Sequence, residues 1–498
     1  MSREAVKARL GARGQLLSFS GASLVFQAVY LLQNATVARL LGPSLVGLWD
    51  ALTLLTLYNV THLGVLNAVH REIPIARGRG DRALVLRLRD QGLIAAVLPS
   101  SMLGAAVLVF ALVTWQQSTP EVRIGLVGLV VLVVVQQLHG YLQVLLRADN
   151  RFHLLAVNQV VLCTAVAVQV GLVFLLGFSG QVFGAIAVQA TGCAAILLLA
   201  GYRLRFALEP KLYAQLVRMG FPIAIMVFAD GLLSGMDRLV ILTFLGTTEL
   251  GYFRLAVLAN GLILFLPNII GQMIYPRLGE AYGASGRLSA MRSVFERPTH
   301  LLALVLPLLV GNLFLLLPGV VEFALPDFRP GVGAARAVIE GLYGFAVLGM
   351  GSYVLLVANR PLEVVAGQLG AAAVKALLAA VAVAFGFGLD GLAHGVALGY
   401  LIYGVWVYSR GLLILGYHRG ELPLRVALVL LPIVVGTGLA VALDMLSSPF
   451  LTGWPTVARE LLLAAAFTGI YAGFVLAVLR RTMPDVWAAA IGWRWTVS

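Results

Sequence analysis

The chain has 498 residues, of which 60% are hydrophobic and only 11% are charged, and its mean hydropathy is +0.95. Soluble domains carry about 25% charged residues, so this composition excludes a soluble protein and indicates that lipid is the main solvent of the chain. The formal net charge of +13 does not indicate a nucleic-acid partner here, because excess Lys and Arg in a membrane protein hold loops on the cytoplasmic side.

Long apolar runs, separated by charged residues or by Pro and Gly, are the dominant feature along the chain. A membrane-spanning helix needs about 20 mostly apolar residues, and about fourteen runs meet this requirement. Their approximate centres are Phe26, Thr56, Gly104, Val133, Ala165, Ala190, Leu233, Leu262, Leu308, Val347, Leu377, Leu401, Val434 and Phe467. The runs are too long for membrane β-strands and lack their alternation. We therefore predict an all-α polytopic membrane protein with about 14 transmembrane helices.

The basic residues of the loops predict the orientation of these spans. With the N-terminus placed inside, the inward loops carry 27 of the 35 Lys and Arg residues and the outward loops carry 4. This asymmetry predicts an even number of spans, with both termini cytoplasmic. The expected location is the cell (inner) membrane.

Two short strings near the start of each half of the chain resemble one another. "LLGPSLVGLWD" at residues 40–50 and "FLGTTELGYFR" at residues 244–254 align without a gap, and three positions are identical. Each string lies between the first and second spans of a six-span unit. An even number of spans per unit predicts two six-helix lobes related by a pseudo-two-fold axis along the membrane normal, with the substrate between them.

The repeat divides the chain into four segments. Residues 1–203 form the N-terminal six-helix lobe, and residues 204–218 form an interfacial linker helix that begins near Pro210. Residues 219–417 form the C-terminal six-helix lobe, and residues 418–498 form two additional transmembrane helices.

Four strings carry a resemblance to a known family: "RLLGPSLVGLW", "MDRLVILTFLGTTELGYF", "IYPRLGEAYGASGR" and "ALGYLIYGVWVY". They resemble the polysaccharide transporters (Wzx-like flippases) of the multidrug/oligosaccharidyl-lipid/polysaccharide exporter superfamily. The resemblance covers roughly residues 10–420. It implies two six-helix lobes around a central cavity, and it implies a flippase that moves a polyprenyl-(pyro)phosphate-linked oligosaccharide from the cytoplasmic to the outer leaflet by alternating access.

Such a substrate needs polar and charged helix faces inside the membrane. Gln27 and Asn34 lie on one polar face of the first span, together with Ser20, Ser23 and Tyr30. The seventh span carries Asp230, Asp237 and Arg238, and weaker signals follow at Gln143, Asn158, Asn260 and Lys375. We predict that the substrate cavity is lined by Gln27, Asn34, Asp230, Asp237, Arg238, Asn260 and Lys375. The alternatives are helix–helix packing for the first span and local neutralisation of Asp237 by Arg238.

Asp50 and Arg254 occupy equivalent positions of the two aligned strings, so an acid in one copy stands where a base stands in the other. We predict that they form a salt bridge that closes the outer side of the transporter, as a gate. In the alternative interpretation Arg254 reaches the outer headgroups and Asp50 caps a neighbouring helix.

Motifs for catalysis are missing from the sequence. There is no nucleotide-binding loop, no cluster of metal ligands and no nucleophile elbow, and Cys163 and Cys193 both lie in apolar runs. We therefore expect no enzyme activity and no cofactor. The energy source stays open between an H+ or Na+ gradient, substrate asymmetry and consumption of the product on the far side.

Two other functions are compatible with a polytopic chain. One is an ion-coupled drug exporter of the same superfamily, and the other is a polytopic glycosyltransferase or polymerase that uses the same lipid-linked sugar. The outward loops are short, which disfavours the second alternative. The expected partners are the lipid-linked sugar, the bilayer and, as further candidates, a polysaccharide polymerase or glycosyltransferases, with no nucleic acid.

Overall fold

A computed structural model describes residues 3–57, 62–202, 204–447 and 455–482 of the chain. These residues form sixteen α-helices, joined by short turns and 3₁₀ segments, and no β-strand occurs among them. The structure confirms the prediction of an all-α polytopic membrane protein, because thirteen helical segments of the described residues are long and apolar enough to cross a bilayer. The predicted orientation, with both termini cytoplasmic, stays a prediction, because the spans are recognised by their length and composition alone.

The helices are α1 (Arg3–Leu57), α2 (Val65–Gly78), α3 (Arg82–Val113), α4 (Pro120–Ala148), α5 (Phe152–Leu176), α6 (Phe178–Ala200), α7 (Pro210–Phe244), α8 (Thr247–Ile263), α9 (Phe265–Ser285), α10 (Arg292–Ala324), α11 (Val332–Leu348), α12 (Gly351–Val357), α13 (Pro361–Ala384), α14 (Gly388–Ile414), α15 (Leu422–Ser447) and α16 (Thr456–Thr482).

The first predicted span and the start of the second both lie in α1, which counts as one of the thirteen segments, and part of the second span falls on residues 58–61, outside the described residues. The two parts of α1 meet at a kink at Gly42, whose backbone is non-helical with φ 74° and ψ 170°. Gly246, its partner in the predicted repeat, precedes α8 with φ 102° and ψ −174°. Only glycine readily adopts this region of φ/ψ space. Gly42 and Gly246 therefore share a backbone conformation, which explains why both strings have glycine at this position of the repeat.

Contacts divide the chain into two compact units, residues 1–231 and residues 232–498. The boundary falls within α7, which begins at Pro210 and runs without a break to Phe244. Residues 210–218 of the predicted linker helix are thus the first turns of a longer helix, and residues 204–209 are not helical.

The first unit packs α4 against α3 and α6, and α5 against α1 and α6. A large buried cluster lies where α2, α3, α4 and the start of α7 meet. Tyr141 is fully buried there, and its hydroxyl donates a hydrogen bond of 2.5 Å to the carbonyl oxygen of Arg89. This contact ties α4 to the first turns of α3, where several basic side chains lie.

The second unit is centred on α11, α13 and α14, with α8 packed against α11. The last two helices, α15 and α16, pack against α10. Their interface buries Phe467 and Tyr471, and the Tyr471 hydroxyl donates to the carbonyl oxygen of Pro432 at 3.1 Å. Burial of aromatic side chains of this size anchors α16 on the second unit.

Candidate functional site

A buried ion pair lies in the second unit, between two residues that the sequence analysis assigned to the substrate cavity. Lys375 on α13 has a fully buried side chain, and its Nζ lies 3.3 Å from Oδ2 of Asp237 on α7. The side chain of Asp237 is 4% exposed. The ammonium also donates to the carbonyl oxygen of Leu233 at 2.8 Å. On a third side it lies 4.0 Å from the centre of the Tyr400 ring. A carboxylate, a carbonyl and a ring thus surround the ammonium.

The packing of α13 against α14 explains why Tyr400 lies so close to the ammonium. Residue 399 is a glycine, and a Cβ atom at that position would lie 2.7 Å from the Cβ atom of Lys375. The missing side chain lets the two helices approach at this level. The next residue along α14 is Tyr400, which is 3% exposed and presents its ring to the lysine.

The electrostatics of the pair follow from its depth. A charged side chain in the middle of a membrane span costs about 2.5–3.5 kcal/mol on insertion scales, so such residues pair with each other or with backbone carbonyls. Asp237 has a second donor, the backbone N–H of Arg238, at 3.0 Å from Oδ1. The site can therefore hold two opposite charges away from water.

The structure places the other predicted cavity residues as follows. Gln27 and Asn34 lie on α1, where Gln27 is half-buried and Asn34 is buried with its amide donating to the carbonyl oxygen of Tyr30 at 2.7 Å. Asp230 on α7 is exposed, and Arg238 is half-buried beside the ion pair. Asn260 is half-buried near the end of α8. Of the predicted residues, Asp237 and Lys375 form an ion pair, and the lining of a cavity by the whole set stays a prediction.

The predicted gate residues belong to different units. Asp50 lies on α1 of the first unit and is 5% exposed, and Arg254 lies on α8 of the second unit and is half-buried. The salt bridge between them stays a prediction.

Sequence reasoning missed a polar network around His139, which is 5% exposed on α4. Its Nδ1 lies 2.6 Å from Oε1 of Gln189 on α6. Its Nε2 lies 3.2 Å from Nε2 of Gln143 and 3.1 Å from Nδ2 of Asn158 on α5. These amide orientations match a neutral ring that donates from Nδ1 and accepts at Nε2. Gln143 and Asn158 were weak polar signals in the sequence, but their common partner becomes visible only when α4, α5 and α6 pack together.

A second missed feature, the Tyr202 cluster, lies at one end of the first unit. The Tyr202 hydroxyl donates to Oδ2 of Asp149 at 2.8 Å, and the ring lies between the guanidinium groups of Arg89 at 5.0 Å and Arg151 at 5.6 Å. Asp149 also pairs with Arg89 at 2.9 Å and with Arg77. Burial is the main cause that raises the pKa of Tyr202 above its ordinary value.

The second unit contains the same arrangement, the Tyr417 cluster. The Tyr417 ring lies 3.9 Å from the guanidinium carbon of Arg292 and 3.7 Å from that of Arg425, and its hydroxyl donates to Glu296. Arg425 also lies 3.5 Å from carboxylate oxygens of Glu296 and Glu421. Burial, and then the bond to Glu296, raise the pKa of Tyr417 to about 12.

The two clusters show the internal repeat in side chains that the aligned strings do not contain. Tyr202 follows Gly201 directly after α6, and Tyr417 follows Leu415 and Gly416 after α14. A repeated Gly-Tyr pair was the available sequence signal. Its meaning depended on arginine and acid partners from distant parts of the chain, such as Arg89 for Tyr202.

Comparisons with known proteins agree with this architecture. Residues 94–327 match the sequence model of a family described as "Polysaccharide biosynthesis protein". A search of curated protein sequences found no match.

Three solved structures show the likeness in fold. The lipid II flippase MurJ in an inward closed conformation is 12% identical, with a TM-score of 0.62 over 93% of this chain and 99% of that one. An inward-facing multidrug resistance MATE family transporter of the MOP superfamily is 15% identical, with a TM-score of 0.62 over 80% and 95%. The eukaryotic MATE transporter AtDTX14 is 16% identical, with a TM-score of 0.58 over 84% and 98%.

At these identities the structures show the fold alone, and the match to the polysaccharide biosynthesis family covers residues 94–327. The chain therefore has the fold of the multidrug/oligosaccharidyl-lipid/polysaccharide exporter superfamily, and its resemblance to the polysaccharide transporters of that superfamily is confirmed.

Proposed function

We propose that this protein is a flippase that moves a polyprenyl-(pyro)phosphate-linked oligosaccharide from the cytoplasmic to the outer leaflet by alternating access. The observation that carries the proposal is the match of residues 94–327 to a polysaccharide biosynthesis family, in a chain whose fold follows that of a lipid II flippase over 93% of its length. A membrane protein with this fold and this family match serves polysaccharide synthesis most directly by moving its lipid-linked intermediate.

The buried ion pair supports a transport role. Replacing a buried salt bridge by apolar residues of similar volume is often neutral or stabilising. Stability alone is therefore a weak reason for the chain to carry the buried Asp237–Lys375 pair. We propose that the pair differs in strength between the states of the transport cycle and that a proton or Na+ at Asp237 couples the cycle to an ion gradient. A differential contact of this kind is what allows a ligand to shift a two-state equilibrium.

An ion-coupled drug exporter is the second candidate, because a multidrug resistance MATE transporter has the same TM-score as the lipid II flippase. The share of this chain that each structure covers favours the flippase. The lipid II flippase corresponds to 93% of the chain, whereas the two MATE transporters correspond to 80% and 84%.

The test is reconstitution of the purified protein into proteoliposomes that contain a fluorescent polyprenyl-pyrophosphate oligosaccharide. A membrane-impermeant reagent or a lectin measures the fraction of sugar exposed on each side over time. We expect protein-dependent exchange that is abolished in Lys375→Met and retained in Lys211→Met, whose lysine lies exposed at the start of α7. Efflux of a cationic drug without any exchange of the lipid-linked sugar would establish the drug exporter instead.

A further inference from the structure

A cleft with basic walls lies at one end of the first unit, next to the Tyr202 cluster. It has a volume of about 530 Å³ and is formed by the end of α2, the turn at Gly80 and the first two turns of α3. Its lining residues are Arg77, Gly80, Arg82, Val85, Leu86 and Arg89. Three guanidinium groups thus border one cavity.

The carboxylates near the cleft leave this charge only partly balanced. Asp149 is shared between Arg77 and Arg89, and it also accepts the Tyr202 hydroxyl. Asp81 lies beside the cleft, but its carboxylate caps α3 by accepting the backbone N–H of Leu84 at 2.8 Å. Within the part of the chain that the structure describes, no carboxylate lies within salt-bridge distance of Arg82. The cleft therefore carries an excess of positive charge.

The Tyr417 cluster provides an internal comparison. There, two arginines lie against the tyrosine ring, and two glutamates lie within ion-pair distance of Arg425, so the cluster contains two bases and two acids. In the Tyr202 cluster, Arg77 and Arg89 share the carboxylate of Asp149, and Arg151 adds a third guanidinium group near the tyrosine ring. Because the same tyrosine–arginine arrangement forms with balanced charge in the second unit, the excess charge in the first unit is not required by the arrangement itself.

The apolar residues of the lining indicate which kind of ligand binds beside the positive charge. Val85 and Leu86 add apolar surface between the arginines, and Leu86 is 52% exposed. The cleft lies at the first turns of α3, whose following residues are apolar enough to span the bilayer, so it lies at the level of a headgroup layer. We propose that this cleft binds the phosphate group of an anionic membrane lipid, with the arginines on the phosphate and the apolar lining against the glycerol and upper acyl chain. This site is separate from the proposed transport of a lipid-linked sugar and does not depend on it.

The test uses lipid binding to the purified, delipidated full-length chain, measured by native mass spectrometry. Phosphatidylglycerol and phosphatidylcholine with identical acyl chains serve as the anionic and zwitterionic probes, and inorganic phosphate serves as the free-anion probe. Arg82→Gln removes the charge that the described carboxylates do not balance. Arg79→Gln is the matched control, because Arg79 is an exposed arginine of the same turn that does not line the cleft. Arg82→Lys keeps the charge and controls for folding.

We expect the wild-type chain to bind phosphatidylglycerol more tightly than phosphatidylcholine, and inorganic phosphate not to displace the lipid. Arg82→Gln should weaken phosphatidylglycerol binding by about fivefold, the effect of one basic residue at an anionic membrane surface. Arg79→Gln should match the wild type, and Arg82→Lys should lie between the wild type and Arg82→Gln.

Three results would overturn the proposal. Equal losses in Arg79→Gln and Arg82→Gln would show diffuse surface charge. Equal binding of the two lipids would remove the anionic preference, and displacement of the lipid by inorganic phosphate would assign the cleft to a free anion.

Discussion

Replacing Lys375 with methionine tests the buried ion pair directly. The substitution keeps most of the side-chain volume but removes the ammonium, which leaves the Asp237 carboxylate buried with the backbone N–H of Arg238 as its remaining described donor. Removing one partner of a buried pair costs about 3–5 kcal/mol, because the other charge loses its compensation. We therefore expect Lys375→Met to lower the free energy of unfolding by about this amount.

The reciprocal substitution, Asp237→Leu, should cost less. In that variant the ammonium keeps the carbonyl oxygen of Leu233 and the ring of Tyr400, whereas the carboxylate in Lys375→Met keeps one backbone donor. The double variant removes both charges and replaces them with apolar side chains. Its stability should return to within about 1 kcal/mol of the wild type or exceed it.

The assay is equilibrium unfolding of the purified protein in mixed micelles with increasing sodium dodecyl sulfate, followed by helical circular dichroism. Lys211→Met is the control for loss of a lysine, because Lys211 is exposed. A loss below about 1 kcal/mol in Lys375→Met would refute the reasoning, since it is far below the 3–5 kcal/mol of an uncompensated buried charge. A double variant that loses the sum of the two single losses would also refute it, because the two effects would then be independent of each other.

Three further predictions concern the backbone and the polar contacts of single units. Gly246→Ala should destabilise the protein by about 1–3 kcal/mol, because the backbone of Gly246 lies in a region that only glycine adopts readily. Gly261→Ala is the control and should not destabilise it, because Gly261 lies inside α8 with no atom within 4 Å of the added methyl group. Unfolding titrations that show equal losses for the two variants would contradict this prediction. His139→Leu should cost about 1–3 kcal/mol in the same titration, because the buried Asn158 and the half-buried Gln143 and Gln189 lose their common partner, and an unchanged midpoint would contradict the network. The hydrogen bond from Arg87 lowers the pKa of Glu209 below its usual 4.5, so the contribution of this pair is present above pH 4.5 and is lost as the pH falls through the lowered pKa. The difference in stability between the wild type and Glu209→Gln should accordingly shrink below pH 4.5, and a difference that grows on acidification would contradict the sign.

The positions of the helices could be predicted well because the bilayer imposes a local rule. A span must be long and apolar whatever it packs against, so each run could be recognised by itself. At Gly42 the first predicted span and the start of the second meet at a kink without a loop, as the break in helical φ/ψ shows. Hydropathy reports length and polarity, and it does not report the φ and ψ of a single glycine.

The candidate site was predicted only in part, and the reason is the range of the contacts. Asp237 and Lys375 were singled out separately because a charge in an apolar run is costly, yet nothing in their spacing of 138 residues paired them. His139 was missed because its partners lie on three different helices.

The sequence by itself determined the class of the protein, the positions of most spans and the internal repeat, because apolar length and the aligned Gly42 and Gly246 are properties of local segments. Only the tertiary structure decided which charges meet: that Lys375 faces Asp237 and Tyr400, and that an excess of arginine lines one cleft of the first unit. The physical reason is that the insertion cost of a charge depends on its own span, whereas its partner is chosen by the packing of helices that are distant in sequence.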